Sequence, residues 1–185
     1  MSARAPLVLV VGPSGAGKDT LIAAARSRLA GDSGVVFARR WITRPADAGG
    51  EDHVEVALAA FDAAEAAGHF LLSWRAHGLA YGIPRDVERA RMAGRAVVAN
   101  VSRGVVEEAR ARLEPVAVFA IEVPDALLTA RLRARGRESN AEVAARVARV
   151  AAPVGGDVTR IVNDGTVEEG VSRFVAALAA ARAGA

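Results

Sequence analysis

The chain predicts an α/β fold, a parallel sheet packed between helices in three layers, on three observations. Short Val-rich apolar runs alternate with longer Ala-rich segments along its length. The first apolar run ends in a glycine-rich loop that leads into a helical segment. No repeat or linker divides the 185 residues, a length that suits one domain with a sizeable core.

The elements follow in order. Pro6–Val11 reads as a buried parallel strand, because it is continuously apolar rather than alternating. Thr20–Leu29 is a helix stopped near Gly31, and Val35–Ala38 a second strand. Arg39–His53, "RRWITRPADAGGEDH", is polar and turn-rich and reads as loop. Leu58–Ala67 is a helix before Gly68, Phe70–Trp74 is apolar, and His77–Pro84 reads as turn and loop. Asp86–Ala93 is helical, closed by Gly94; Ala96–Ala99 is a strand, Glu107–Leu113 a helix and Val116–Val123 a strand. Pro124, suited to a helix start, opens a helix to Arg135, interrupted over Gly136–Asn140. Ser139 and Glu142 have capping-box spacing for a helix running to about Val150. Arg160–Val162 is the last strand, Asn163-Asp164-Gly165 a turn, and Val167–Ala181 the closing helix.

Composition narrows the function. The chain is 52% hydrophobic with mean hydropathy +0.21, which fits a folded globule rather than a disordered chain. It has no cysteine, hence no disulfide frame or thiolate metal site. His53, His69 and His77 lack metal-ligand spacing and read as surface or packing residues. No apolar run reaches the ~18 residues that span a membrane, and Leu7–Val11 is too short for a signal sequence, so the expectation is cytoplasmic. The pI near 10.4 accompanies a net charge of only +3 and reflects an almost all-arginine basic set, not a nucleic-acid surface. Aromatics make up 4%, too few for a base-stacking platform.

Lys18 is the only lysine among 24 basic residues. It lies in Gly12-Pro13-Ser14-Gly15-Ala16-Gly17-Lys18-Asp19-Thr20, one residue away from the phosphate-loop pattern G-x-x-x-x-G-K-S/T, with Asp19 where the hydroxyl belongs. Backbone N–H groups of Ser14–Thr20 at a helix start form an anion site, and a compact ammonium fits among phosphate oxygens where a planar guanidinium does not. A second constellation is Arg131, Arg133, Arg135 and Arg137, with Arg146 and Arg149 one helix later. Guanidinium groups suit the equatorial oxygens of a transferring phosphoryl group. For Arg131 and Arg133 a solvated helix face is an equal reading; Arg135 and Arg146 are assigned to function. A third is Arg40, Thr43 and Arg44, suited to an acceptor phosphate, with an ordinary polar loop as the alternative.

Together these resemble the nucleoside-monophosphate kinase group, in its guanylate-kinase-like branch. "GPSGAGK", "ITRPADAGGEDH", Tyr81-Gly82, "RLRARGRES" and "VNDG" match that branch in order over nearly the whole chain. The resemblance implies a three-layer P-loop NTPase fold, 1–185, with an acceptor-binding insert at about 39–84 and an arginine lid at about 131–149. Guanylate kinases carry arginine where Asp47 stands, a guanine-reading glutamate near Ser73, and aspartates at Asn100 and Ser102. With those carboxylates absent, the chain instead resembles the ribose 1,5-bisphosphate phosphokinase family of phosphonate degradation. That family has "GPSGSGKD", with the same aspartate, where this chain has "GPSGAGKD", and its pattern is matched here by Arg40-Trp41-Ile42-Thr43-Arg44, Leu72-Ser73-Trp74, His77-Gly78-Leu79, Tyr81-Gly82 and Arg135-Gly136-Arg137-Glu138.

That resemblance implies transfer of the ATP γ-phosphoryl group to the 1-phosphate of ribose 1,5-bisphosphate, with ATP and Mg²⁺ as cofactors. Lys18, Arg135 and Arg146 would be catalytic. The loop and Asn163 would hold ATP, and Arg40, Thr43, Arg44 and Tyr81 the acceptor. Asp19 would serve as a hard oxygen ligand to Mg²⁺ in place of a strand carboxylate, with a purely structural carboxylate at a helix start as an equal alternative. Trp74 is assigned to the core. Rival readings are a guanylate kinase with relaxed base recognition and a non-catalytic binding module. The expected partners are small molecules, not nucleic acid or membrane, with a homodimer left open.

Overall fold

A computed structural model describes residues 4–48, 50–134 and 154–184. Five parallel strands form the central sheet: β1 (Leu7–Val11), β2 (Val35–Phe37), β7 (Ala96–Asn100), β8 (Val116–Glu122) and β9 (Thr159–Val162), in the order β2-β7-β1-β8-β9. All five β1 residues are buried, because helices cover both faces of the sheet. Val8 and Val10 point to one side, against Leu21 and Ala25 of α1 (Lys18–Arg28), Leu128 and Leu132 of α5 (Asp125–Ala134), and Phe174 and Leu178 of α6 (Val167–Ala183). Leu7, Leu9 and Val11 point to the other, against Val87 of α3 (Val87–Met92) and Val106 and Ala109 of α4 (Val106–Arg112). The three predicted layers are thus present, split by the two-residue period of β1.

A second sheet departs from the sequence expectation. The segment read as loop contributes β3 (Trp41–Ile42), and β4 (Val54–Glu55) follows it directly. His77–Pro84, read as turn and loop, is mostly strand: β5 (Phe70–Ala76) and β6 (Leu79–Pro84) form a hairpin about His77-Gly78. Both turn residues have positive φ, 52° and 75°, the geometry that makes a two-residue turn follow the strand twist. Strand order is β4-β3-β6-β5, with β3–β4 parallel and the other pairs antiparallel. One face is covered by α2 (Leu58–Ala66), where Phe61 stacks on Phe70 with centroids 4.6 Å apart. The other face looks across a cleft at the loop after β1.

The capping box lies at α6, where Thr166 Oγ1 accepts from the Glu169 backbone N–H and Glu169 accepts from the Thr166 N–H. The predicted Ser139–Glu142 box lies outside the described residues, as do Arg135, Arg137, Arg146 and Arg149.

Candidate active site

The loop 12–20 carries β1 into α1, and two of its glycines are required by close approach. A Cβ on Gly12, at φ +153°, would stand 2.7 Å from the Ile121 carbonyl oxygen, and strand backbone cannot yield. A Cβ on Gly17, at φ +87°, would stand 2.6 Å from Asn163 Nδ2. That amide donates to the Ala16 carbonyl at 2.7 Å, so the turn after β9 braces the loop from behind. Asn163, expected at the adenine, is buried and tied to the loop itself. Beside it, Arg131 has a buried guanidinium nitrogen, Nη1, with no hydrogen-bond partner, 3.9 Å from the position of a Gly17 Cβ. Among the described residues that nitrogen has no partner, an arrangement that is costly for a guanidinium.

α1 starts at Lys18, so its first N–H groups and positive dipole end face the cleft. Lys18 Nζ donates to the Gly12 and Pro13 carbonyls at 2.8 and 3.0 Å. Burial of the ammonium is the main cause that lowers its pKa from 10.5 to about 8; Arg40 and Arg103 lower it further, opposed by Asp19 and Glu51. The residue as a whole is only part-buried. Its charged end lies under the Gly12 and Pro13 carbonyls, away from the solvent that reaches the rest of the residue. Asp19 Oδ1 accepts from Asn100 Nδ2 at 2.7 Å, joining the loop to the end of β7.

The cleft has a volume of about 450 Å³. Its loop side holds Gly12–Gly15 and Gly17–Thr20, and Asn100, Ser102 and Arg103 line the end of β7. The far side holds Arg40, Arg44, Glu51, Trp74 and Tyr81. Arg40 is buried and forms a two-pronged ion pair with Glu51, through Nε at 2.9 Å and through Nη2. Its guanidinium carbon lies 5.2 Å from the Tyr81 ring centroid and 5.8 Å from that of Trp74. Those rings stack with centroids 5.3 Å apart and planes 4° apart.

The structure brings together Gly12–Gly15, Gly17–Thr20, Arg40, Arg44 and Tyr81 around the cleft, with Ala16 buried behind them. Thr43 is not among the lining residues: its hydroxyl accepts from the Ala80 N–H at 2.8 Å and ties β3 to β6. Trp74, assigned to the core, packs part-buried against the cluster that contains Leu72, Ile83 and Val101, and it also lines the cleft, where it pairs with Tyr81 on the face away from α2. Ser73, one residue before, faces α2, where its hydrogen bond is the first cause holding the Glu65 carboxyl below its usual range. Sequence reasoning missed Glu51, Arg103 and His53. The His53 ring is buried and contacts the Glu51 and Arg44 carbonyls, each at 3.0 Å, pinning the loop that presents both residues.

The guanylate kinase family model matches residues 3–181. The chain is 51% identical over 174 residues to ribose 1,5-bisphosphate phosphokinase PhnN of Methylobacterium radiotolerans, covering 94% of this chain and 97% of that one. It is 49% identical over 180 residues to a bifunctional ribose 1,5-bisphosphokinase-thymidine phosphorylase of Cupriavidus necator, covering 96% of this chain but spanning only 30% of that longer protein. Among solved structures, guanylate kinase from Anaplasma phagocytophilum superposes with TM-score 0.73 at 21% identity, covering 98% of this chain and 88% of that one, which shows the fold. The chain belongs to the guanylate kinase family, alongside the ribose 1,5-bisphosphate phosphokinases.

Proposed function

We propose that residues 1–185 form one kinase unit that transfers the γ-phosphoryl group of ATP to ribose 1,5-bisphosphate, giving ADP and 5-phosphoribosyl 1-diphosphate, in phosphonate catabolism. The observation that carries this reading is the far wall of the cleft. Arg40 and Arg44 line it beside the Trp74–Tyr81 stack, whereas the positions where the family reads a guanine edge offer no carboxylate. Ser73 is turned to α2, Asn100 is committed to Asp19, and Ser102 accepts from the Gly104 N–H. Such a wall suits a second phosphate and a sugar face better than a purine. The similarity to the Methylobacterium phosphokinase over nearly its full length supports the same reading.

Both nucleophile and leaving group are phosphate oxygens, so the chain supplies position and charge rather than covalent chemistry. An oxygen of the acceptor's 1-phosphate attacks the γ-phosphorus, the bond to the β–γ bridging oxygen breaks, and ADP leaves. The attacking oxygen is already ionised, so no general base is needed. Lys18 and the loop N–H groups hold the β and γ oxygens. Asn163 backs the loop that would hold the nucleotide, and Arg135 and Arg146, which lie outside the described residues, would neutralise charge on the transferring phosphoryl group. Arg40, Arg44 and Tyr81 bind the acceptor, and Thr43 shapes their strand.

Mg²⁺ fits the donor set. No cluster of three or more acidic, histidine or cysteine side chains exists among the described residues. One carboxylate on the loop nevertheless matches an ion bound chiefly by substrate phosphates and water. Asp19 would be that ligand, and the bound ion would neutralise charge on the β and γ oxygens. Among the described residues no helix is long and apolar enough to cross a membrane. We place the enzyme in the cytoplasm with small-molecule partners.

Phosphorus NMR of the protein with Mg-ATP and either ribose 1,5-bisphosphate or GMP tests the reading. New diphosphate resonances with the sugar and none with GMP are expected; turnover of GMP alone would overturn the acceptor assignment.

A further inference from the structure

We propose that Asn100 is a positioning residue for phosphoryl transfer: it holds the Asp19 carboxylate so that its other oxygen is presented to the metal-bound phosphates. The proposal rests on the ATP-dependent reading above and concerns how this chain carries its metal-facing charge.

The hydrogen bonding of Asp19, which sits in the first turn of α1, gives it a tie beyond the helix start. Its hydrogen bond among the described residues runs not to an N–H of α1 but across to the sheet, to Asn100 Nδ2 at 2.7 Å. Asn100 is the last residue of β7, opposite Val10 of β1, and the ladder continues past it through the Val101 N–H to the Val10 carbonyl at 3.0 Å. Its backbone is therefore fixed, and its side chain is buried. An ionised carboxylate only accepts, so the atom facing Asp19 Oδ1 is the amide nitrogen, which sets the orientation of the amide. Oδ1 is thereby occupied, while Oδ2 makes no hydrogen bond among the described residues and belongs to a side chain that lines the cleft.

Charge leads to the same assignment. The cleft is lined by two carboxylates, Asp19 and Glu51. Both Glu51 oxygens are engaged by Arg40, so Asp19 is the acid left to meet a cation. A carboxylate at position 100 would face Asp19 at hydrogen-bond distance, two like charges in a part-buried site. A neutral amide removes that repulsion and contributes a donor. The hydroxyl-on-loop, carboxylate-on-strand arrangement of the phosphate-loop pattern is exchanged here for carboxylate-on-loop, amide-on-strand. The two positions therefore work as one unit.

The test uses the full chain as Asn100→Leu, Asp19→Ser and the exchange Asp19→Ser/Asn100→Asp. Mn²⁺, a paramagnetic stand-in for Mg²⁺, is titrated into the ADP complex and free ion read by EPR, with melting and metal-free ADP affinity measured alongside. Asn100→Leu should weaken Mn²⁺ binding by about 10–100-fold, as loss of an outer-shell orienting group does, and Asp19→Ser, which removes the ligand, by at least as much, with the other two readouts little changed. The exchange should recover most of that loss. Mn²⁺ binding by Asn100→Leu equal to the parent's, or an exchange variant as weak as Asp19→Ser, overturns the positioning role. A parent protein that binds neither ADP nor ATP overturns the nucleotide reading itself, which is a distinguishable failure.

Discussion

Replacing Lys18 by Met should stabilise the nucleotide-free protein while abolishing its response to ATP. The ammonium's pKa is lowered from 10.5 to about 8, chiefly by burial. At about 1.4 kcal/mol per unit, keeping the group charged in the folded chain costs about 3 kcal/mol at neutral pH. Met removes that cost and leaves the Gly12 and Pro13 carbonyls without their donor, a loss of about 1 kcal/mol each. The balance is about 1 kcal/mol of added stability, or roughly 2–4 °C in melting temperature for a chain of this size.

The sign with pH is fixed. Between about pH 8 and 10.5 the unfolded chain still holds a proton that the folded chain has released, so the parent gains stability as pH rises through that window. Lys18→Met should be the more stable below pH 8, the two should cross within the window, and the parent should be the more stable by about 2 kcal/mol above it. Scanning calorimetry across about pH 6.5–11, which brackets that window, with and without Mg-ATP, reads both effects. ATP at about 100 times its Kd should stabilise the parent by about 2.7 kcal/mol and the variant negligibly. A variant less stable than the parent at pH 7, or one that keeps the ATP shift, would refute the claim that the loop stores an unfavourable charge for its ligand.

Other expectations concern the walls of the cleft. Arg40→Leu leaves Glu51 charged and unpaired and should cost about 3–5 kcal/mol; Arg40→Leu/Glu51→Leu should recover stability but not turnover, seen by comparing melts with kinetic assays. Gly17→Ala forces a left-handed backbone on alanine and drives its methyl into Asn163; a loss of about 2–4 kcal/mol in urea unfolding is expected. His53→Ala frees the loop carrying Arg44 and Glu51 and should raise the acceptor KM about tenfold, on the order of 1–2 kcal/mol from two lost hydrogen bonds, while the ATP KM stays put. Trp74→Ala should weaken acceptor binding and also lower the melting temperature, since the ring lines the cleft and packs against the core cluster that contains Leu72 and Val101.

The parallel core was legible because each of its signals is local. β1 is uniformly apolar, its loop is glycine-rich, and each following helix ends near a glycine or proline. The acceptor sheet was not, because its strands are two residues long at β3 and β4 and earn their pairing from partners far along the chain. The hairpin was more accessible than it looked. His77-Gly78 suits a two-residue turn, and counting outward pairs Ala76 with Leu79, Arg75 with Ala80 and Trp74 with Tyr81. Alternation then places Trp74 and Tyr81 on one face and Ser73 on the other, which adds a place in the cleft to the core assignment of Trp74 without any further information.

The site divides along the same line. Lys18 stood out as a lone lysine, and Arg40, Arg44 and Tyr81 as groups suited to phosphate. Residue types alone could not say that Arg40 meets Glu51, that Thr43 is spent on the Ala80 backbone, or that Asn163 braces Ala16. Each of those depends on which face of a strand a side chain occupies. Asp19 is the instructive case: the sequence posed a carboxylate where a hydroxyl belongs and left a ligand and a helix-start group evenly matched. The hydrogen bond that supports the ligand proposal joins residues 81 positions apart, and it exists because β7 lies beside β1 and ends level with the start of α1. A phosphate loop tolerates a carboxylate when the strand next to it presents an amide in place of an acid. Asp19 is thus a departure from the loop pattern only when read without Asn100.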